Sequence, residues 1–374
     1  MPFFAPLAQA AATIKSAPLS RGATQNGMVR VRLSSLGNPS NLKLTVQGSY
    51  TVNGKTSKAI ASGSVLQVGF HASTGKLTLT HNGNTTDMGE TFKLRRHATD
   101  GSNGIKIAQG RVPSNLYPGD FEFISKKSSS GYTLYVIVHV YIEDYLYGVL
   151  PYEMGNSSGL EALKAQAVAA RTYTVRMMHS RPSGYYDVVD TTNDQVFKGV
   201  NYNYTNALRA VRETAGVVGT YKGKLAICYY SASNGGQTEL VRNVWSGRGD
   251  WDYYRMTDDP YDVENPESVV RRARIAKNGK IDEGFKAIIY SYVLPEMVRQ
   301  GYVPAAENFR IDGITAMSLG APAFDEPSRS YTQLTLTFTW SGKKWILPET
   351  EATSVPAEEE AEEEFYFFAT PVPT

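Results

Sequence analysis

Glu153 and Arg171 are the side chains whose types and placing could do chemistry together. Glu153 lies among Leu150, Pro151, Tyr152 and Met154, just ahead of an alanine-rich run, and a carboxyl so placed can give or take a proton. A nearby helix N-terminus would favour its anion and burial among apolar neighbours would favour the acid, so the sequence leaves its charge open. With Leu160 at zero and about 100° per residue, Leu163, Ala167, Thr174 and Met178 fall on one side of an apolar arc. Val168 and Val175 fall on the other, and Arg171 stands near the centre, about 20° from Leu160. An isolated buried charge is costly, so the guanidinium needs a partner or a polar cleft. Two readings stay open: an ion pair that fixes the fold, or a planar cation that lines a groove and orients an anionic group.

Other residues offer weaker chemistry. In CYYSASNGG, Ser231, Ser233 and Asn234 supply short donors and acceptors, while Gly235 and Gly236 permit positive φ and close backbone approach to a ligand; an ordinary hairpin turn uses the same residues. Of the adjacent tyrosines, strand alternation turns one into the core and leaves the other to face a ligand. Asp190 and Asp194 are carboxylates in a turn-forming cluster. Cys228, the only cysteine, sits in the apolar run LAICYY and reads as an inert core thiol. The five histidines are scattered with no pair at ligand spacing, so no metal site and no cofactor are expected.

These groups must be positioned by a chain whose hydrophobic period changes midway. MVRVRL (28–33), LKLTVQGSYTV (42–52), SVLQVGF (64–70), GKLTLTHNG (75–83) and ETFKLRR (90–96) alternate between Gly/Asn turns and predict strands. YPGDFEFIS leads into GYTLYVIVHVYIEDYL, a hairpin whose second arm, 132–142, predicts a central buried strand. Glu153 then falls in the connection to a helix that begins at a Ser158–Glu161 capping box and runs to Met178. A second helix is predicted over 202–216, ending at Gly216, then a hairpin through Lys222-Gly223. A helix across 285–302, broken or kinked at Pro295, and a strand over 331–340 follow. Strands, then helices, then strands argue α+β: a β-rich N-terminal part, a mixed helix/strand core and a long Ala-rich helix packed on sheet.

The expected organisation is a leader over 1–27, an α+β region over 28–345 and an acidic disordered tail over 346–374. The middle region divides into a β-rich part (28–130), a catalytic core (131–266) and C-terminal helix and strands (267–345). The leader carries a short apolar run and Ala8-Gln9-Ala10, the remnant of an export signal or an unstructured extension. At 374 residues, 41% hydrophobic and 20% charged, the chain has ample material for a core. Its net charge is +2, yet eight of the 36 acidic residues lie between Glu349 and Glu364, so the body is basic. Such a body suits an anionic neighbourhood as well as a plain soluble surface. It carries no Lys/Arg stripe with interleaved aromatics, RRARIAK (271–277) reads as an exposed helical face, and nucleic acid is not an expected partner.

The run DYLYGVLPYEM followed by EALKAQAVAARTYTV resembles the SpoIID/LytB family of bacterial cell-wall proteins, and YYDVVDTTNDQVFKG, ETAGVV, CYYSASNGGQTE, VWSG and DDPYD follow in order, from about Met28 to Pro266. The resemblance implies a lytic transglycosylase that cuts peptidoglycan glycan strands and leaves 1,6-anhydro-muramoyl ends, with Glu153 as acid/base and Arg171 supporting it. Gln195, Tyr230, Ser231, Ser233, Asn234, Gly235 and Gly236 are then the expected groove residues. Where some members carry Cys and His zinc ligands this chain reads DTTNDQ, so a zinc site is not implied. The same family includes amidase enhancers, which makes a non-catalytic wall-binding protein that stimulates an amidase the rival. Glycan strands, a cell-wall amidase or other sporulation proteins are the implied partners. An extracytoplasmic location, secreted or membrane-anchored, is expected with them.

Overall fold

The change of period at Tyr141 is where the architecture turns. In the computed structural model the strand Gly131–Tyr141 passes directly into a helix, α1 (Ile142–Glu153), with no loop between. The structure describes residues 15–18, 27–98, 102–107, 115–129, 131–245, 253–264, 283–345 and 358–368. Most of the leader, RRARIAK and the ends of the tail lie outside the described residues. Two compact units divide the chain between Tyr230 and Ser231, within the span that the sequence reads as one catalytic core.

Among the described residues, unit 1 holds two large sheets. One runs in the order Val188–Val189, Met28–Arg32, Gly131–Tyr141, Asp120–Ser128, Thr91–Arg96, Tyr50–Val52, Lys55–Ile60. The other runs Leu116–Tyr117, Gly104–Ile107, Asn41–Gln47, Val65–Phe70, Leu77–His81, Asn84–Gly89. The single strand expected over 42–52 is therefore two strands in two sheets. Gly48 makes the corner at φ 79°, and a Cβ there would sit 2.0 Å from Asn103 Oδ1, so only glycine fits. Both sheets share one core with α1 and two further helices, α2 (Leu160–Ser180) and α3 (Thr205–Glu213). The architecture is α+β.

α1 is the element that the sequence reading missed. Ile142, Tyr145, Leu146, Val149 and Leu150 are buried at helical spacing, and Glu143 and Asp144 stand in the first turn, where acidic groups suit the helix dipole. Gly148 and Pro151 disguise it. Pro151 lies in the last turn, and a Cβ on Gly148 would lie 2.5 Å from Phe197 Cε2 and 2.7 Å from the Gly199 carbonyl. The missing side chain lets residues 197–199 lie against the helix, where Lys198 N donates to Gly148 O at 3.3 Å. Glu153 thus closes a helix instead of lying in a connection.

α2 buries most of the stripe expected of it, Leu163, Ala167, Thr174, Val175 and Met178, with Arg171 and Ala170 among them, while Leu160 and Val168 are half-buried. The predicted capping box does not form. The N-cap is Gly159, Ser158 Oγ donates to the Met154 carbonyl at 2.7 Å, and Glu161 instead accepts from Lys164. Having α1 end at Glu153 supplies Ser158 with a free carbonyl and draws its hydroxyl backwards. The 222–223 hairpin forms as predicted between Val217–Tyr221 and Lys224–Leu225, with φ 49° and 75° at its two turn residues.

In unit 2 the helix Glu283–Arg299 runs through Pro295, and Ile289, Val293 and Met297 pack with Tyr302, Phe309, Leu336, Phe338 and Trp340. Its apolar stripe is what holds the turn together across the proline. Strands Arg310–Leu319 and Gln333–Lys343 pair antiparallel. The tail expected to be disordered contains a strand, Glu358–Phe368, in continuous antiparallel register with Gln333–Lys343. The open edge of that neighbour offers a backbone ladder, and composition alone does not register it.

Candidate functional site

Glu153 ends α1 half-buried, and its Oε1 accepts the Val196 backbone N–H at 2.7 Å. Burial pushes the carboxyl above its ordinary range and the Val196 hydrogen bond opposes that rise. Desolvation is the larger of the two effects, so the environment leans toward the protonated form. The bond from Val196 occupies Oε1. Val196 reaches Glu153 because Gly148 lets the 197–199 segment lie flush on α1.

Gln195, 1% exposed, is the centre of a saturated network beside this carboxyl. Its Oε1 accepts from Thr174 Oγ1 at 2.7 Å and from Tyr145 Oη at 3.2 Å, while Nε2 donates to Ala170 O at 3.3 Å and to Tyr230 Oη at 2.9 Å. A buried primary amide has two acceptor sites and two donors, so all four are used. Tyr230 consequently receives a hydrogen bond and keeps its own proton for a further acceptor. Burial first, and next the charge of Glu153, hold its phenol well above the ordinary range. Gln195 is enclosed and positions its neighbours, Tyr230 among them.

Arg171 is 0% exposed and is placed differently. Its Nε and Nη2 grip Glu143 Oε1 and Oε2 at 3.0 and 2.7 Å, a bidentate pair. Nη1 reaches Val217 O at 3.0 Å and Ala167 O at 3.5 Å, and Nη2 also reaches Val211 O and Thr214 Oγ1. Glu153 is not among its partners. Glu143 stands ten residues before Glu153, about 15 Å along the axis at the helical rise. Arg171 bolts α1 to α3 and to the strand that follows; of the two readings open in the sequence, the geometry carries the ion pair. Glu143 was missed because α1 was missed.

The two aspartates have structural partners. Asp190 accepts from Ser34 Oγ and from the Ser35 backbone and hydroxyl, and Asp194 from Val189 N, Tyr173 Oη and Arg181 Nη1. Cys228 lies beside Thr172, with burial raising its thiol, the opposite of an activated thiolate.

Ser231, Ser233, Asn234, Gly235 and Gly236 belong to unit 2. The turn closes around Asp262, whose Oδ2 accepts from Ser233 Oγ at 2.6 Å and from the N–H groups of Asn234 and Gly235, each at 2.9 Å. Asn234 Nδ2 donates to Asp259 at 2.8 Å, and Gly235 and Gly236 take φ 72° and 100°. These backbone donors form a nest already filled by a carboxylate of the DDPYD motif. The two motifs, distant in sequence, are one structural device.

Residues 130–221 match the sequence model of a family described as SpoIID, stage II sporulation protein. That span includes Glu153, Arg171 and Gln195 and is narrower than the resemblance read from about Met28 to Pro266. The amidase enhancer of Bacillus subtilis is 48% identical over 101 residues, 27% of this chain and 13% of that protein. An uncharacterized protein of Brachyspira hyodysenteriae is 41% identical over 114 residues, 30% of this chain and 31% of that protein. Stage II sporulation protein D of Bacillus amyloliquefaciens is 34% identical over 152 residues, 36% of this chain and 43% of that protein. The chain thus covers less than half the length of each of these relatives.

Proposed function

The chain carries a SpoIID-family segment over residues 130–221, and from that premise we propose that it is a peptidoglycan lytic transglycosylase of the cell envelope with Glu153 as its acid and base. The observation that carries the reading is a carboxyl, raised by burial and oriented by Val196 N–H, at the end of α1. Hydrolysis of a glycosidic bond uses two carboxyl groups. Asp190 and Asp194, the carboxylates the sequence offered as a second partner, are held by serines, a tyrosine, an arginine and backbone N–H groups, which favours one-carboxyl chemistry.

In that chemistry the protonated Glu153 gives its proton to the glycosidic oxygen as the bond from the muramoyl anomeric carbon breaks. The C6 hydroxyl of the same sugar then attacks that carbon and returns its proton to Glu153, leaving a 1,6-anhydro end with no water consumed. The Gln195-oriented Tyr230 hydroxyl, with a proton to donate, suits a sugar oxygen beside the carboxyl.

The identity to an amidase enhancer supports a second reading, a wall-binding protein that stimulates an amidase. Purified glycan strands incubated with the protein and examined by mass spectrometry for anhydro-muramoyl ends separate the two. Transglycosylation predicts such ends from the intact protein and a loss of about 10²–10⁴-fold in Glu153→Gln. Strands that stay intact while still binding both proteins would establish the enhancer reading instead.

A further inference from the structure

A second cluster of sugar-suited side chains lies on unit 1, away from the hydrogen bonds that hold Glu153. The loop after α2 and the segment leading to Gln195 enclose an open cavity of about 580 Å³, lined among others by Arg181, Ser183, Tyr185, Tyr186, Asn193 and Asp194. That is the size of a small-ligand site. Tyr185 is 48% exposed yet does not float, because Lys126 Nζ donates to its hydroxyl at 3.1 Å and lies 4.5 Å from its ring centre. Tyr186 shares the Arg32 guanidinium with Tyr135, at 5.6 and 3.8 Å from the ring centroids, and Tyr135 meets both rings edge-on at 6.4 Å.

An exposed aromatic held rigid by cations on a sheet face is a preformed platform that loses little entropy when a ligand stacks on it. The cavity adds polar groups, among them Arg181, whose side chain is 41% exposed and whose Nη1 pairs with Asp194 at 3.3 Å and donates to Asp187 O at 2.7 Å. Asp194 itself is fixed by Tyr173, Val189 and Arg181, and two residues on, Val196 holds Glu153. Two residues of chain span at most about 7 Å, so the cavity wall and the N–H that holds the Glu153 carboxyl belong to one short stretch of backbone.

We infer that this cavity is a distal subsite for an anionic amino-sugar strand, with Tyr185 and Tyr186 as the stacking surface and Arg181 facing the carboxylate of a muramoyl residue. The inference rests on the glycan reading of Glu153 and specifies where the same strand is held beyond the bond to be cut. It predicts that affinity depends on strand length through residues that take no part in proton transfer.

The test uses the full chain carrying Glu153→Gln, so that binding is measured without cleavage, and stem-free strands of four and eight alternating N-acetylglucosamine and N-acetylmuramic acid units. By calorimetry the longer strand should bind more tightly. Tyr185→Ala with Tyr186→Ala should remove that advantage, about tenfold in Kd. The exposed Tyr185→Ala alone, which disturbs no buried residue, should remove part of it. Uncharged N-acetylglucosamine oligomers of equal length should bind more weakly than the muramoyl strands. Unchanged length dependence in both tyrosine variants, or equal affinity for the uncharged oligomers, would overturn the subsite while leaving the role of Glu153 intact. Failure of the parent to bind either muramoyl strand would remove the glycan reading and the subsite together.

Discussion

Replacing Arg171 by Met tests whether this arginine clamps the fold or serves the reaction. The substitution keeps much of the volume and removes a guanidinium that is wholly buried and bonded on every nitrogen. It removes a donor from the carbonyls of Val211 and Val217, of which Val211 keeps the Thr214 hydroxyl at 3.4 Å, and leaves Glu143 without its bidentate partner. Breaking one member of a buried pair costs about 3–5 kcal/mol. Glu143 keeps Gly216 N–H at 3.0 Å and is itself 27% exposed, so the orphaned carboxylate is partly satisfied and the lower end, about 3 kcal/mol, applies. Urea unfolding of the full chain followed by circular dichroism should show that loss. Arg171→Met with Glu143→Gln should be less destabilised than the sum of the single changes, since the second removes the stranded charge. Activity of the fraction still folded should stay close to that of the parent. Stability reduced by less than about 1 kcal/mol together with abolished strand cleavage would refute the clamp and return Arg171 to the site.

Three further expectations follow from the geometry. Gly148→Ala places a methyl against Phe197 and the Gly199 carbonyl; it should cost about 1–3 kcal/mol and, by lifting Val196 off Glu153, depress cleavage in protein that calorimetry shows to be folded. Gln195→Leu leaves the buried Tyr145 hydroxyl short of an acceptor, at about 1–3 kcal/mol, while Thr174 keeps the Ala170 carbonyl, and frees Tyr230, so both melting temperature and cleavage should fall. Because burial raises the Glu153 pKa on folding, its contribution favours the native state below the unfolded pKa and is lost as pH rises through the folded one. Cleavage should fall over the same upper limb. Stability measured against pH should lose that slope in Glu153→Gln, which should be the more stable protein at neutral pH.

The local patterns carried far. Alternation marked most strands of unit 1, the wheel placed Arg171 in the buried stripe of α2, and the 222–223 hairpin formed where its residues asked for positive φ. Glu153 was legible as a carboxyl among apolar neighbours. α1 was not, because Gly148 and Pro151 argue against a helix locally and their reason lies in a segment fifty residues on, the chain that packs on Gly148. Likewise Gly48 looks like an interruption of one strand, while its Cβ-free face is what lets the chain cross between sheets.

The sequence by itself determined which groups are present: one boxed-in carboxyl, one misplaced guanidinium, a Gly-rich turn and an α+β order of periods. Only the tertiary structure decided what each group faces. Arg171 turned to Glu143, the SASNGG turn closed on Asp262, and Gln195 used all four of its hydrogen bonds to aim Tyr230. The physical reason is that hydrophobic periodicity is a one-dimensional signal that fixes which face is buried. The partner of a buried polar group is a three-dimensional choice, set by the cost of leaving it unpaired once distant segments have packed.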